Sequence, residues 1–564
     1  FDVCARNGIE ALVVGSYVKA GETFVTDVKV LDAATRESLR SASAKGEGVA
    51  SILKSQIDAI SREVGRGVGK PLLKIEAPAR PIADLTTGSL EAYNLFLRGR
   101  TDYEKFYYAD ARKFLERAIA LDPDFAMAHM FLSRTAQALV DFTGQTAALR
   151  EAYRLSAGAS EKERLYIASH HALTVEQDPE KRLRLLRELI RKYPDEKYAY
   201  FDLGRVLDDR EDPDGAIAAL EKALALDPEF GFAINQLAYV RAKMGQFDEA
   251  RRLFERYAAL NPGDANPLDS IAELHIRMGR LDEAEARYRE VLELRPDFYN
   301  SCASLFYVAG LREDYDGARR WIGELAARAP TPSAKVEAAW LEAFLDYLLG
   351  RDEAALAGYA AIGKQAEAAG VAYFVAVVDW ITAYILRDRG ESDAALASFD
   401  GFFQWAKNVS RGDSAFDDAN RAFFAGWVEV GRGRTAEARS RLAELESRLP
   451  GVGPGDAAEA AFLHRLLGAE VALAEGDPGR AVALGREIVF QDVPNNSTPS
   501  LGRYNQPWIK DVLARALWKN GDLDAAAAEY RKLMTIDPSN QVRMMIHPLY
   551  HYRLGRVLEE KGDG

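Results

Sequence analysis

Cysteine is almost missing from this chain of 564 residues: Cys4 and Cys302 stand nearly 300 positions apart. Neither a disulfide framework nor a cysteine-based zinc site can be built from them. Long runs of Lys and Arg are lacking too, and the net charge is −13. Phosphate backbones are held by clustered cations, so general nucleic-acid binding is excluded. Unbroken apolar stretches are also scarce. The longest, residues 369–386, is interrupted by Asp379; it reads as a buried helix and not as a membrane span, which takes about 20 apolar residues. What the chain has is length and alanine. One hydrophobic core stops growing at roughly 250–300 residues, so several domains or a repeat array must absorb the rest. With 48 % hydrophobic and 28 % charged residues the chain is folded, and its alanine content leans to closely packed helices.

Prolines recur at 194, 228, 262, 296 and 330, and alanines keep the same 34-residue step at 216, 250, 284 and 318. Each period contains an apolar helix, a turn at Gly or charged residues, a second helix opened by acids, and a stop at Pro. Acids complement a helix start, and Pro ends it. A helix–turn–helix of fixed 34-residue period is the mark of the tetratricopeptide repeat. Within one period Leu203, Gly204 and Leu207 face Ala216, Leu220 and Ala223; small residues let the backbones approach, and stacking of neighbours supplies the stability. The second-helix slot is followed through 111, 147, 182, 216, 250, 284, 318, 355, 395, 438, 481 and 526, all alanine except Arg182. After Ala318 the step widens to 37–45 residues, which predicts longer helices or loops, with loops at 408–417, 450–456 and 491–506. Residues 551–562 read as a thirteenth first helix, with Leu554 and Leu558 bare and the chain stopping mid-repeat.

The first 70 residues obey a period of two. Alternation over 12–17 and 24–30 around a turn at 20–22 predicts a β-hairpin; a third strand is expected at 38–44 and a helix at 49–64. The fold expected is therefore mainly α, a solenoid of about twelve helix pairs preceded by a small, truncated α/β domain. Its divisions are 1–70 for the α/β domain, 71–88 for a stiff linker carrying Pro71, Pro78 and Pro81, 89–330 for regular repeats, and 331–564 for longer, divergent repeats.

The run ALVVGSYVKAGETFVTDVKVLDAAT (11–35) resembles the TolB-amino-terminal-like domain that precedes tetratricopeptide repeats in bacterial signalling proteins. The stretches SILKSQIDAISREVGRGVG (51–69), SLEAYNLFLRGR (89–100) and NPGDANPLDSIAEL (261–274) resemble the non-catalytic half of bacterial serine/threonine protein kinases. The resemblance implies a bacterial sensory or docking region, soluble in itself. It would be either the extracytoplasmic part of a membrane-anchored protein tethered upstream or cytoplasmic. The alternatives are an accessory solenoid of an enzyme with a downstream catalytic domain, and a cell-envelope assembly factor.

Chemistry is hard to find in the residues. The motifs of a kinase are absent: Asp124-Phe125, Asp141-Phe142 and Asp297-Phe298 lack the following Gly. Gly65, Gly67, Gly69 and Lys70 resemble a phosphate loop, but Val64 stands where its first Gly belongs and Pro71 replaces the hydroxyl residue, so a helix stop is expected. His547 and His551 could share a helix face, without a third metal ligand; His170 and His171 point apart. No catalytic residue, cofactor or metal is therefore assigned, and the chain reads as a non-enzyme. A protein or peptide ligand is expected on the concave side lined by the first helices, at their second, fifth and ninth positions. Those residues are Tyr93, Phe96, Arg100, Tyr198, Phe201, Arg205, Phe232, Asn235, Tyr239, Asn266, Asp269, Glu273, Asn300 and Tyr307. Tyr, Phe and Arg dominate binding hot spots, and Asn pairs with a peptide backbone.

Overall fold

The computed structural model describes residues 1, 4, 9–48, 51–68, 87–139, 141–329, 332–368, 372–409, 414–453, 456–488, 507–536 and 545–562. It divides into two compact units, Phe1–Leu203 and Gly204–Gly564, and the predicted linker falls almost wholly outside the described residues.

The first unit opens with an antiparallel sheet of β1 (Ala11–Ala20), β2 (Thr23–Asp32) and β3 (Ser38–Glu47) in the order β1-β2-β3. Ala20 pairs with Thr23, so the hairpin closes over two residues, and Gly21 takes the positive φ that such a turn demands. Phe24, Val28 and Val30 turn to the buried face of β2. That face is covered by a π-helical turn, Ile52–Gln56, and the helix Ile57–Gly67. The Gln56 amide, itself buried, donates to the Phe24 carbonyl at 3.1 Å and accepts from the Thr26 hydroxyl at 2.7 Å, fixing the helix on the sheet. The helix stops at Gly67, as the glycine cluster suggested; Gly69 and Lys70 lie outside the described residues.

Helix pairs follow. Leu90–Glu104 with Tyr108–Leu121, Ala126–Ala138 with Phe142–Leu155 and Glu161–Thr174 with Pro179–Lys192 belong to the first unit, and Lys197–Asp209 carries the boundary. In the second unit the regular pairs run through Tyr315–Arg328. They give way to helices of 17–18 residues between Pro332 and Gly431, so the wider spacing after Ala318 is taken up largely in helix. The predicted loop at 491–506 lies outside the described residues.

Packing within a pair follows the small residues. A Cβ on Gly99 would lie 2.8 Å from Leu115 Cγ, and one on Gly204 would lie 2.7 Å from Leu220 Cγ; only glycine allows that approach. Ala111, Ala216, Ala250, Ala284, Ala318, Ala355, Ala395, Ala438, Ala481 and Ala526 are all fully buried, each in the first turn of a second helix. Asp residues cap several of those helices: Asp141 accepts from the Gly144 N–H at 2.8 Å, Asp178 from Lys181 at 2.7 Å and Asp314 from Gly317 at 2.8 Å.

Two expectations need correction. The second repeat does not place Ala147 in the slot; Ala147 is exposed, and Gln145, one step of 34 after Ala111, is buried there. The last helix, Pro548–Lys561, is not bare either. Tyr550 and Val557 are buried, and Leu554 and Leu558 pack half-buried against the cluster around Ala526 and Tyr530. The apolar stretch near 380 forms the helix Ala372–Asp388 with Trp380, Ile381, Tyr384 and Ile385 buried. Among the described residues no helix is long and apolar enough to cross a membrane.

Candidate functional site

The two polar slots, Gln145 and Arg182, mark a change in the core of the first unit. Arg134, on the first helix of the second repeat, is buried and donates from Nε to the Tyr103 hydroxyl at 3.2 Å and from Nη1 to the Tyr166 hydroxyl. Its Nη2 lies 3.7 Å from Asp202, which is fully buried. His170 Nε2 stands 3.0 Å from the other Asp202 oxygen. Burial works to raise the Asp202 carboxyl, but Arg134, His170 and Arg182 together hold it well below the usual range. Burial also pushes His170 down to about 4, against the pull of Asp202, so the ring is neutral at pH 7. His171 faces elsewhere, stacked on Tyr153 and 3.1 Å from Glu176. This cluster ties four successive first helices together through side chains.

Above it a cleft of about 290 Å³ opens on the first helices of the unit. Five aromatic rings, Tyr93, Phe96, Phe131, Tyr166 and Tyr198, line it with Met127, and Arg100, Lys162, Glu163 and Glu196 complete its wall. Phe96 meets Phe131 edge-on at 5.5 Å. The Tyr198 hydroxyl donates to Glu104, and burial followed by that carboxylate raises its pKa. Lys162 and Glu196 pair at 2.8 Å. Four predicted groove residues, Tyr93, Phe96, Arg100 and Tyr198, thus come together; the period could not reveal Met127, Phe131 and Tyr166, which belong to the next two first helices.

In the second unit the predicted positions build a polar ladder. Ser270 donates to Asn235 at 3.1 Å, the Tyr239 hydroxyl donates to Glu273 at 2.8 Å, and Ser301 donates to Asp269 at 2.6 Å. Arg277 lies 3.4 Å from the second Glu273 oxygen. The buried Asn266 Oδ1 has no hydrogen-bond partner. Burial, reinforced by Glu273, raises the Asp269 carboxyl to about 7 despite the Ser301 hydrogen bond. Phe201, at the end of the first unit, and Phe232 are buried and line neither this unit's cleft nor the aromatic one. Tyr307 is half-buried, and Asn300 is exposed at the start of Asn300–Leu311. Arg205 is half-buried on Lys197–Asp209.

The two C-terminal histidines separate. His547 sits at the N-cap of Pro548–Lys561, accepting from the Leu549 N–H at 3.1 Å, while His551 pairs with Glu313 at 2.8 Å. Among the described residues no group of three His, Cys, Asp or Glu side chains is placed to hold a metal. Sequence reasoning passed over a second cleft in this unit, where Arg387, Arg515 and Arg553 converge.

Family models of the tetratricopeptide repeat match residues 178–229, 209–269, 241–306 and 511–540. No curated protein matches the chain. Among solved structures, the chain is similar to a MamA double mutant at 19 % identity, covering 30 % of this chain and 95 % of that one with a TM-score of 0.26. It is also similar to YrrB, described as a TPR protein with an unusual peptide-binding site, at 19 % identity, with 33 % and 93 % covered and a TM-score of 0.22. PilW, a type IV pilus biogenesis factor, matches at 17 % identity, with 44 % and 97 % covered and a TM-score of 0.24. The fold is a tetratricopeptide-repeat solenoid with a small three-stranded sheet at its N-terminal end.

Proposed function

We propose that the first unit holds a partner protein by seating apolar side chains of a peptide segment in its aromatic cleft. The observation that carries this is the lining itself: five rings and one methionine around about 290 Å³, with both signs of charge in the wall. Rigid aromatic side chains supply contact area at low entropic cost, and the charged groups fix the register of an extended chain. The buried Arg134–Asp202–His170 cluster beneath contacts two of these rings, Tyr166 through the Arg134 hydrogen bond and the His170 ring, and Phe131 through the Arg134 guanidinium. No step of chemistry is called for, and the chain acts by binding.

The finer reading is that this scaffold is the docking or sensory half of a bacterial signalling protein, a serine/threonine kinase whose catalytic domain lies outside this chain. It is supported by the resemblance of residues 11–35, 51–69, 89–100 and 261–274 to that family, and by a strand–strand–strand–helix order at the N-terminus. Site-specific photo-crosslinking tests the binding face. A crosslinker at Tyr93 or Met127 should capture the partner, and one at Glu116 or Arg184, on second helices, should not; the reverse pattern would overturn the assignment.

A further inference from the structure

The second cleft, of about 330 Å³, lies between five first helices of the second unit. Arg387 ends Ala372–Asp388, Trp427 lies on Ser414–Gly431, Glu470 on Ala457–Glu475, Arg515 on Val512–Lys519, and Arg553 on Pro548–Lys561. Three guanidiniums in one cavity need explanation, because cations are brought together only against their mutual repulsion.

Three acids, Asp388, Glu470 and Asp511, match that charge one for one. Arg515 donates from Nε to Asp511 at 2.9 Å and from Nη2 and Nη1 to Glu470 at 2.5 Å and 3.1 Å. Arg553 donates from Nη1 to the other oxygen of Asp511, which is fully buried and also accepts from the Tyr530 hydroxyl at 3.3 Å. Arg387 donates from Nη1 to Asp388 at 2.7 Å, and Asp388 also accepts from Tyr347 at 2.6 Å. Every oxygen of Asp388, Glu470 and Asp511 is thereby engaged. The donors are not exhausted: a guanidinium carries five N–H groups, and Arg387 Nε is buried without a hydrogen-bond partner. The Arg387 guanidinium carbon lies over Trp427, 3.5 Å from the ring centroid, in cation–π contact. His547 adds another donor. Its Nδ1 accepts from the Leu549 N–H, and burial lowers its pKa to about 4, so the neutral ring carries its proton on Nε2. The cleft therefore offers N–H donors in surplus over acceptors, and its arginines are oriented by acids and an indole.

We propose that this cleft binds an oxyanion, the phosphate or carboxylate group of a small free ligand, through Arg387, Arg553 and the remaining N–H groups of Arg515. Its volume lies at the lower end of small-molecule sites, about 300–1,000 Å³. Planar guanidinium forks match either oxyanion in a bidentate way. This site is independent of the aromatic cleft, and neither needs the other.

The test is calorimetric titration of the full chain with inorganic phosphate and, separately, with glutarate, at constant ionic strength and pH 7. Tryptophan fluorescence is followed in parallel. Saturable binding of at least one is expected, weakened tenfold or more by Arg387→Gln and by Arg553→Gln. Trp427→Phe should remove the fluorescence change and keep the heat. Should Arg387→Gln fail to fold, Arg387→Lys, which keeps the charge and loses the fork, reads the same loss. Binding by phosphate alone or glutarate alone supports the site and tells which oxyanion it prefers. No saturable heat with either, or affinity unchanged in both arginine variants, overturns it.

Discussion

The second-helix slot is buried alanine in the first and in the fourth to twelfth repeats, but Gln145 and Arg182 in the second and third. Alanine there serves close approach of two backbones and nothing else. The two polar slots flank the Arg134–Asp202–His170 cluster, where buried charge ties repeats together. One array thus holds two kinds of second-helix slot: one apolar and fixed by shape, the other polar and in the same repeats as paired charges that are expensive to separate. The aromatic cleft lies over those charges.

This contrast can be broken from either side. The largest effect is expected from charging an alanine slot: Ala284→Arg strands a guanidinium in a site with no space or partner. It should cost 4 kcal/mol or more, on the order of the worst core substitutions, and show as a lowered urea midpoint. Arg134→Met leaves Asp202 buried without its cation and should cost about 3–5 kcal/mol, whereas Arg134→Met with Asp202→Leu should recover most of that. A double mutant as unstable as the single one would show that the cluster is not a coupled pair.

Acid and base should act oppositely on two groups. Between pH 4 and 6.5 the unfolded chain binds a proton at His170 that the folded chain refuses, so stability from this group is complete above about 6.5 and lost as pH falls towards 4. Asp202, held low, loses its share as pH falls further, below the usual carboxylate range. Asp269 runs the other way. Between its ordinary 3.8 and about 7 the folded chain holds a proton that the unfolded chain has released, so its contribution is full below 3.8 and lost as pH rises. Asp269→Asn should therefore be more stable than the parent above pH 7 by about 1–2 kcal/mol, a gain that vanishes near pH 4. Urea midpoints of His170→Gln and Asp269→Asn across pH 4–8 check both signs. The smallest effect, about 0.5–1.5 kcal/mol, is expected for Tyr198→Phe, which deletes one hydroxyl donated to Glu104.

The alanine slots were legible because one residue type recurs at a fixed step, and Gly99 and Gly204 because close helices admit little else. The slot of the second repeat was misplaced at Ala147 because alanine is common, while the residue truly there, Gln145, breaks the pattern. Arg134, His170 and Asp202 carry no local sign of their association; each sits on a different first helix and is joined to the others only by stacking. The arginine cleft escaped for a related reason. Arg387, Trp427, Glu470, Arg515 and Arg553 are spaced by 38–45 residues, where the repeats lengthen unevenly and no single period aligns them. Phe201 and Phe232 show the converse: they occupy the same periodic positions as Tyr93, Phe96 and Tyr198 yet do not line the cleft, and nothing in the period distinguishes them.

Central to the proposed function is the first-helix face of the first unit as the partner's seat. Hydrogen–deuterium exchange of the intact chain, with and without a peptide selected for binding to it, tests this directly. Protection should concentrate in Leu90–Glu104, Ala126–Ala138 and Glu161–Thr174, and Met127→Glu should abolish it together with binding. Protection confined to the second helices Tyr108–Leu121 and Phe142–Leu155, or to the N-terminal sheet, would contradict it.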